Sequence, residues 1–228
     1  MSGDTLECPD AAEHLYLAAS QDEVPIARPL MTGDVFSQIA VPGLDGTGLA
    51  IVLTHPCSMR VDGVRLASRL LMARVVPTSP IPLPAWRNGH FKVTPLPGLL
   101  RTHHSARFDE IGLVETGSLA ERTRVACMTP HGVHLLQQRF IWYLTRFLAP
   151  THRLAEVTEA VFEEADLQEE WVEQSVSRGN DLESAAETFH EWIRSPDSSG
   201  VTRQDQLQQT DLRAGVRRQM RTHLNSGN

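Results

Sequence analysis

The spacing of apolar positions changes near residue 129. Before that point, short apolar runs are separated by glycine and proline turns, the signature of β-strands; after it, apolar residues recur every three or four positions, as in helices. Asp34–Val41, Leu49–Thr54 and Leu70–Val76 read as three strands, and His90–Leu96 and Ser105–Val114 as two more. Pro42–Gly48 holds three glycines and reads as a loop, Val61–Val64 as a turn, and Thr116–Ser118 as another. Pro77–Pro84 has four prolines in eight residues, so it does not predict a central strand.

Thr129-Pro130 has the form of an N-cap followed by proline at the first helical position. Val133, Leu136, Phe140, Leu144 and Phe147 then keep a helical period up to Pro150. A second helix is predicted from Thr151 to about Ser177, a third around Leu182, Ala185, Phe189 and Ile193, and a last one through Leu212, Val216 and Met220. Ser195–Gly200 reads as a flexible linker. The first thirty residues read as an acidic, loosely ordered lead-in, with a short helix over Glu13–Ser20 ended by Pro25 and Pro29. The expected organisation is therefore 1–30 lead-in, 31–150 β-rich domain with a closing helix, and 151–228 helical extension: an α+β chain.

Composition narrows the class. No apolar run approaches a membrane span, and the acidic N-terminus lacks the charge and apolar centre of a signal peptide, so a cytoplasmic protein without membrane contact is expected. Three cysteines without a CxxC pair argue against a disulfide framework and a cysteine-rich zinc site. Lys92 is the only lysine, an arginine bias typical of high-GC bacterial genomes. Charge is segregated. Residues 31–150 carry twelve bases against seven acids, and residues 151–200 carry thirteen acids against three arginines. A basic middle suggests a surface for nucleic acid or an acidic partner. The acidic helices suggest a cover for it that mimics nucleic acid; the plainer alternative is a solvated helix surface.

Candidate chemistry concentrates at Gly48–Arg60, GLAIVLTHPCSMR, where an apolar strand ends in a His, a Cys and an Arg. Residues i and i+2 of an extended segment share a side, so His55 could lower the pKa of Cys57 and make it a nucleophile. The alternative is a structural His55 and a Cys57 packed as a small hydrophobe. A zinc site would need further ligands from His90, His103 or His104, and neither metal nor cofactor is expected. Arg74, Arg87, Arg101 and Arg107 are candidate phosphate ligands, and Trp86 a candidate stacking platform for a base.

The order of these segments resembles the MazF/PemK toxin family, small SH3-like barrels that cleave RNA. The resemblance rests on Thr32–Phe36 as the Gly-Asp-hydrophobic opening, Leu49–Leu53 as the apolar strand, Ala73–Ser79 as the strand ending in Pro-x-Thr-Ser, Phe108–Val114 as a later strand, and Met128–Phe147 as the closing helix. It covers about half the chain. It implies an SH3-like β-barrel, metal-independent endoribonuclease activity on single-stranded RNA, a homodimer, and a protein partner from a toxin–antitoxin or phage-defence system. The family's site threonine or serine maps onto Thr78 or Ser79. Its Arg-Pro pair maps onto Gly48-Leu49, so that arginine has no carrier here. A replacement set is expected, with His55 or His103 for proton transfer and Arg60 or Arg101 for the phosphate. Two other readings follow from the same residues: a catalytically inert barrel that binds nucleic acid or protein, and a Cys57-dependent hydrolase.

Overall fold

The computed structural model describes residues 5–62, 64–119, 122–197 and 200–226, and its architecture is α+β. The chain divides into two compact units, Met1–Val24 with Leu30–Val157, and Pro25–Pro29 with Thr158–Asn228.

The first unit is built on one antiparallel sheet of seven strands: β1 (Tyr16–Ala18), β2 (Val35–Ile39), β3 (Gly48–Val52), β4 (Arg69–Pro77), β5 (Val93–Pro97), β6 (His103–Glu115) and β7 (Arg124–Met128). The strand order is β1-β7-β2-β3-β4-β6-β5. The sheet is therefore curled but open, a half-barrel with β1 and β5 as edges. β3 is central, and Ala50, Ile51 and Val52 are all fully buried, which requires cover on both faces of the strand. Ala50 and Val52 pack with Phe36, Ile39, Met59, Leu70 and Met72. Each such aliphatic side chain contributes roughly 1.5–3 kcal/mol by leaving water. On edge strand β5, Pro95 pairs with Ser105 and Pro97 with His103. Proline has no N–H, so β5 bonds to β6 through the alternate residues and the prolines turn their missing donors outward.

The lead-in departs from expectation. Its helix is only a 3-10 turn, Ala12–Leu15, and Tyr16–Ala18 then becomes a strand beside β7. Tyr16 and Ala18 gain backbone partners in Met128 and Cys127, which outweighs a weak helical preference in so short a segment. β7 has no periodic signal of its own, being five residues long and buried at Val125–Met128.

Helix α1 (Pro130–Thr145) follows β7 directly. Thr129 caps it by accepting the Gly132 N–H at 3.0 Å and donating to the His14 carbonyl at 2.7 Å. The helix ends before Pro150, because Arg146 adopts a left-handed conformation and bonds back to the Trp142 carbonyl. Gly132 lies against the Leu15 backbone so closely that a Cβ there would collide with the Leu15 carbonyl.

Helix α2 (Thr151–Ser177) carries the boundary between the units. The second unit adds α3 (Leu182–Arg194), α4 (Arg203–Leu207) and α5 (Thr210–Ser226) around a core that includes Leu167, Trp171, Phe189, Trp192, Val216 and Met220. Asp181 caps α3 and Thr202 caps α4. The segment expected as a linker closes instead on a Pro196–Thr202 bridge; its Ser198 and Ser199 lie outside the described residues. Among the described residues, no helix is long and apolar enough to cross a membrane.

The acidity of α2 is met inside this unit. Arg28 binds Asp166 and Glu169, Arg213 binds Glu159, Arg217 binds Glu163 and Glu170, and Arg221 binds Glu170. These carboxylates already hold arginines, which weakens the expectation that α2 is an acidic cover for a basic surface.

Candidate functional site

Strand registers decide which candidates can meet. At the end of β3, Leu53 and Thr54 bond to the Leu71 carbonyl, and the Thr54 hydroxyl accepts the Leu71 N–H at 2.7 Å. The Thr54 carbonyl in turn accepts the Thr32 hydroxyl. His55, Cys57 and Arg60 therefore follow β3 at the start of β4. Thr78 follows the other end of β4, where its N–H bonds to the His103 carbonyl at 2.9 Å. Seven residues of extended strand separate Leu71 from Thr78, a path of about 23 Å. His55 and Arg60 thus lie at one end of β4, and Thr78 and Ser79 at the other.

The His55 end is structural. His55 caps a 3-10 turn, Pro56–Ser58, and its Nδ1 accepts the Cys57 backbone N–H at 3.2 Å. Accepting at Nδ1 requires that nitrogen to be unprotonated, and burial lowers the pKa of the ring further. An imidazole held neutral in this way lacks the cationic charge that the Cys57 nucleophile reading requires. Cys57 itself is exposed, not the packed small hydrophobe of the alternative reading. Arg60 sits in the following hairpin, pairs with Leu66, and donates to the Leu30 carbonyl at 3.3 Å.

The opposite end collects a different set. Val76 pairs with Ser105 and Pro77 with His104, so β6 begins beside the end of β4. The Thr78 hydroxyl lies 3.1 Å from the Ser105 hydroxyl, and Ser79 is exposed next to it. His103 is exposed, whereas His104 is buried, contacts the Thr102 hydroxyl at 3.3 Å, and has its pKa lowered by burial. Arg101 stands two residues before His103, at the end of a tight turn. Gly98, Leu100 and Arg101 all take positive φ, at 79°, 51° and 64°. Leu100 and Arg101 are not glycines, so this turn stores strain of about 1–3 kcal/mol per residue. Its bonds to Ala19, Gly98 and Leu99 carbonyls hold it. Thr78, Ser79, Arg101 and His103 thus share one end of the sheet. The start of β3 lies there too, since Leu49 pairs with Val75.

The basic surface is smaller than the sequence suggests. Arg65 pairs with Asp62, Arg69 with Glu115, Arg74 with Glu110, Arg107 with Asp109 and Glu110, and Arg124 with Asp34. Arg74 also donates to the Asp45 carbonyl at 2.7 Å. Arg74 and Arg107 are thereby committed to neighbouring acids and are poor phosphate ligands. Arg87 and Arg101 are exposed and make no ion pair among the described residues.

Trp86 is a correction. Its indole is fully buried, donates to the Ile81 carbonyl at 3.3 Å, and packs with Leu15 and Leu135, so no base can stack on it. The Arg139 guanidinium lies 5.7 Å from its ring centroid. Arg139 was hidden in the helical pattern of α1, yet it donates to the Trp86, Gly89, His90 and Val93 carbonyls at 3.0–3.2 Å. It clamps the segment that presents Arg87. Nothing in the sequence distinguishes it from a surface arginine except its position between Leu135 and Trp142 on one helix face.

Among the described residues, no group of three or more His, Cys, Asp or Glu side chains is placed to hold a metal. No family model and no curated protein matches the chain.

Proposed function

We propose that the first unit is a MazF/PemK-like, SH3-like module that binds single-stranded RNA at the Thr78–Ser79–Arg101–His103 end of its sheet, and that it cleaves this RNA without a metal. The observation that carries the reading is the Thr78 N–H bond to the His103 carbonyl. It brings the hydroxyls at the end of β4 and the histidine and arginine at the start of β6 to one place. The chemistry asks for little more. The 2′-hydroxyl attacks the adjacent phosphorus and the P–O5′ bond breaks, giving a 2′,3′-cyclic phosphate and a 5′-hydroxyl. His103 accepts the 2′-hydroxyl proton, the leaving 5′ oxygen takes a proton from water, and Arg101 neutralises the phosphorane. Thr78 and Ser79 donate to the phosphate oxygens. In a bacterial toxin–antitoxin or phage-defence setting, the partner would be a protein that covers this edge.

A second reading, an inert nucleic-acid-binding or protein-binding module, is favoured by one observation. Gly48 and Leu49 start β3 beside this edge, where the resembled toxins carry their arginine. One experiment separates the two. Purified protein is incubated with single-stranded RNA in EDTA, and binding is measured beside cleavage. The enzyme reading expects cleavage that falls at least ~100-fold in His103→Ala and Arg101→Ala and is unchanged in His55→Ala. Binding without cleavage selects the inert module. Neither binding nor cleavage overturns both.

A further inference from the structure

The second unit contains a cleft of about 870 Å³ between α5 and a wall of Trp192, Pro196, Asp197 and Arg203. Four arginines of this unit, Arg28, Arg213, Arg217 and Arg221, are taken up by carboxylates of α2. Arg203 and Arg218 form no ion pair among the described residues, and both line the cleft. An acidic helical unit thus keeps a local cationic pocket.

Arg203 is fixed in place. Its Nη1 donates to the Trp192 and Ser195 carbonyls at 3.1 and 2.9 Å and to the Ser195 hydroxyl at 2.6 Å, and its Nε donates to Gln219 Oε1 at 3.1 Å. The guanidinium lies 4.9 Å over the Trp192 ring. All these acceptors are neutral, so its charge is held in position without being cancelled. Arg218 is exposed beside it. With Oε1 engaged, the Gln219 amide offers its NH₂ group to a ligand.

The other end of the cleft has the opposite polarity. The Thr222 hydroxyl donates to the Arg218 carbonyl, and the Ser226 hydroxyl to the Thr222 and His223 carbonyls. With their protons used, these oxygens can only accept. They lie in the last turns of α5, where the helix dipole is negative and favours donors. Asp197 lines the cleft on the Arg218 side and is bonded by Gln206 at 2.7 Å. His223 lies flat on Trp171, at 5.3 Å and 17°, and is itself exposed.

We propose that this cleft binds a nucleoside phosphate: phosphate at Arg203 and Arg218, base on the exposed ring of His223, ribose hydroxyls donating to Thr222 and Ser226. A bare phosphate would leave the acceptors and the aromatic platform unused. An uncharged nucleoside would leave the two arginines unused. Only residues of the second unit are involved, so the proposal stands apart from the RNA-cleaving edge.

The test is calorimetric titration of the full chain with AMP, ribose 5-phosphate, inorganic phosphate and adenosine, with tryptophan emission followed in parallel because Trp192 and Trp171 report on the site. The expected result is saturable AMP binding, at least ~10-fold weaker binding of each fragment, and at least ~10-fold weaker AMP binding by Arg218→Glu, with unchanged circular dichroism. Arg218 is exposed and makes no ion pair among the described residues, so this variant should fold; Arg218→Gln, with a loss of at least ~3-fold, serves if it does not. The proposal is overturned if AMP shows no saturable binding up to about 10 mM. It is equally overturned if phosphate alone binds as tightly as AMP, or if neither Arg218 variant weakens binding.

Discussion

Replacing Arg139 tests whether one buried cation organises the 86–93 segment. Burial pushes its guanidinium down to about 10, so it remains charged at neutral pH. It answers four backbone carbonyls. Arg139→Met keeps the aliphatic stem and removes every donor. His90 is exposed and Gly89 and Val93 are half-buried, so water can replace the arginine at these three carbonyls. The Trp86 carbonyl is buried and cannot be rehydrated as easily, at about 1–3 kcal/mol. Loss of the cation over the Trp86 ring adds about 1 kcal/mol. The expected destabilisation of the first unit is about 2–4 kcal/mol, and Arg139→Lys, with three donors instead of five, recovers less than half of it. A global melt would mix the two units, so the measurement is native-state hydrogen exchange on β4 and β6 amides. A loss under about 1 kcal/mol in Arg139→Met would refute the clamp.

Two further outcomes are expected. Gly132→Ala places a methyl group against the Leu15 carbonyl, a collision with backbone that outweighs the helical preference of alanine. Its net cost is about 1–3 kcal/mol, and hydrogen-exchange stability of the β4 and β6 amides equal to or above that of the parent would disprove the close approach. His134 has its pKa lowered to about 4, first by burial and then by the neighbouring imidazoles of His131 and His55, which repel a second proton in acid. The unfolded chain protonates near 6.5, so stability is full above that pH and falls as pH drops from 6.5 to 4. After discounting for solvent screening the loss is about 1–2 kcal/mol, and His134→Gln should lack it; equal acid sensitivity in both proteins would remove His134 as the cause.

The strands with strong local signals were legible. β2, β3 and β4 show as apolar runs between turns, and α2 shows as a long periodic stretch bounded by Pro150 and Gly179. β1 and β7 were not, because each is made a strand by its partner rather than by its own pattern. The site was legible by residue type and illegible by position. His55 and Thr78 both follow apolar strands, and only the antiparallel register of β3 on β4 shows that they follow opposite ends. The basic middle misled for a related reason. Counting charges cannot show that Arg74 and Arg107 face Glu110, or that Arg139 points inward.

The prolines of β5 bear on how two copies of this chain could associate. An open sheet offers its edges as templates for another strand. β1 is three residues long, too short to template much. β5 turns outward two positions that have no hydrogen to give, at Pro95 and Pro97, so an incoming strand would meet acceptors without matching donors. Both edges therefore disfavour pairing with another strand, and side-chain contacts on the sheet faces offer association that single surface substitutions can tune without touching the ladder.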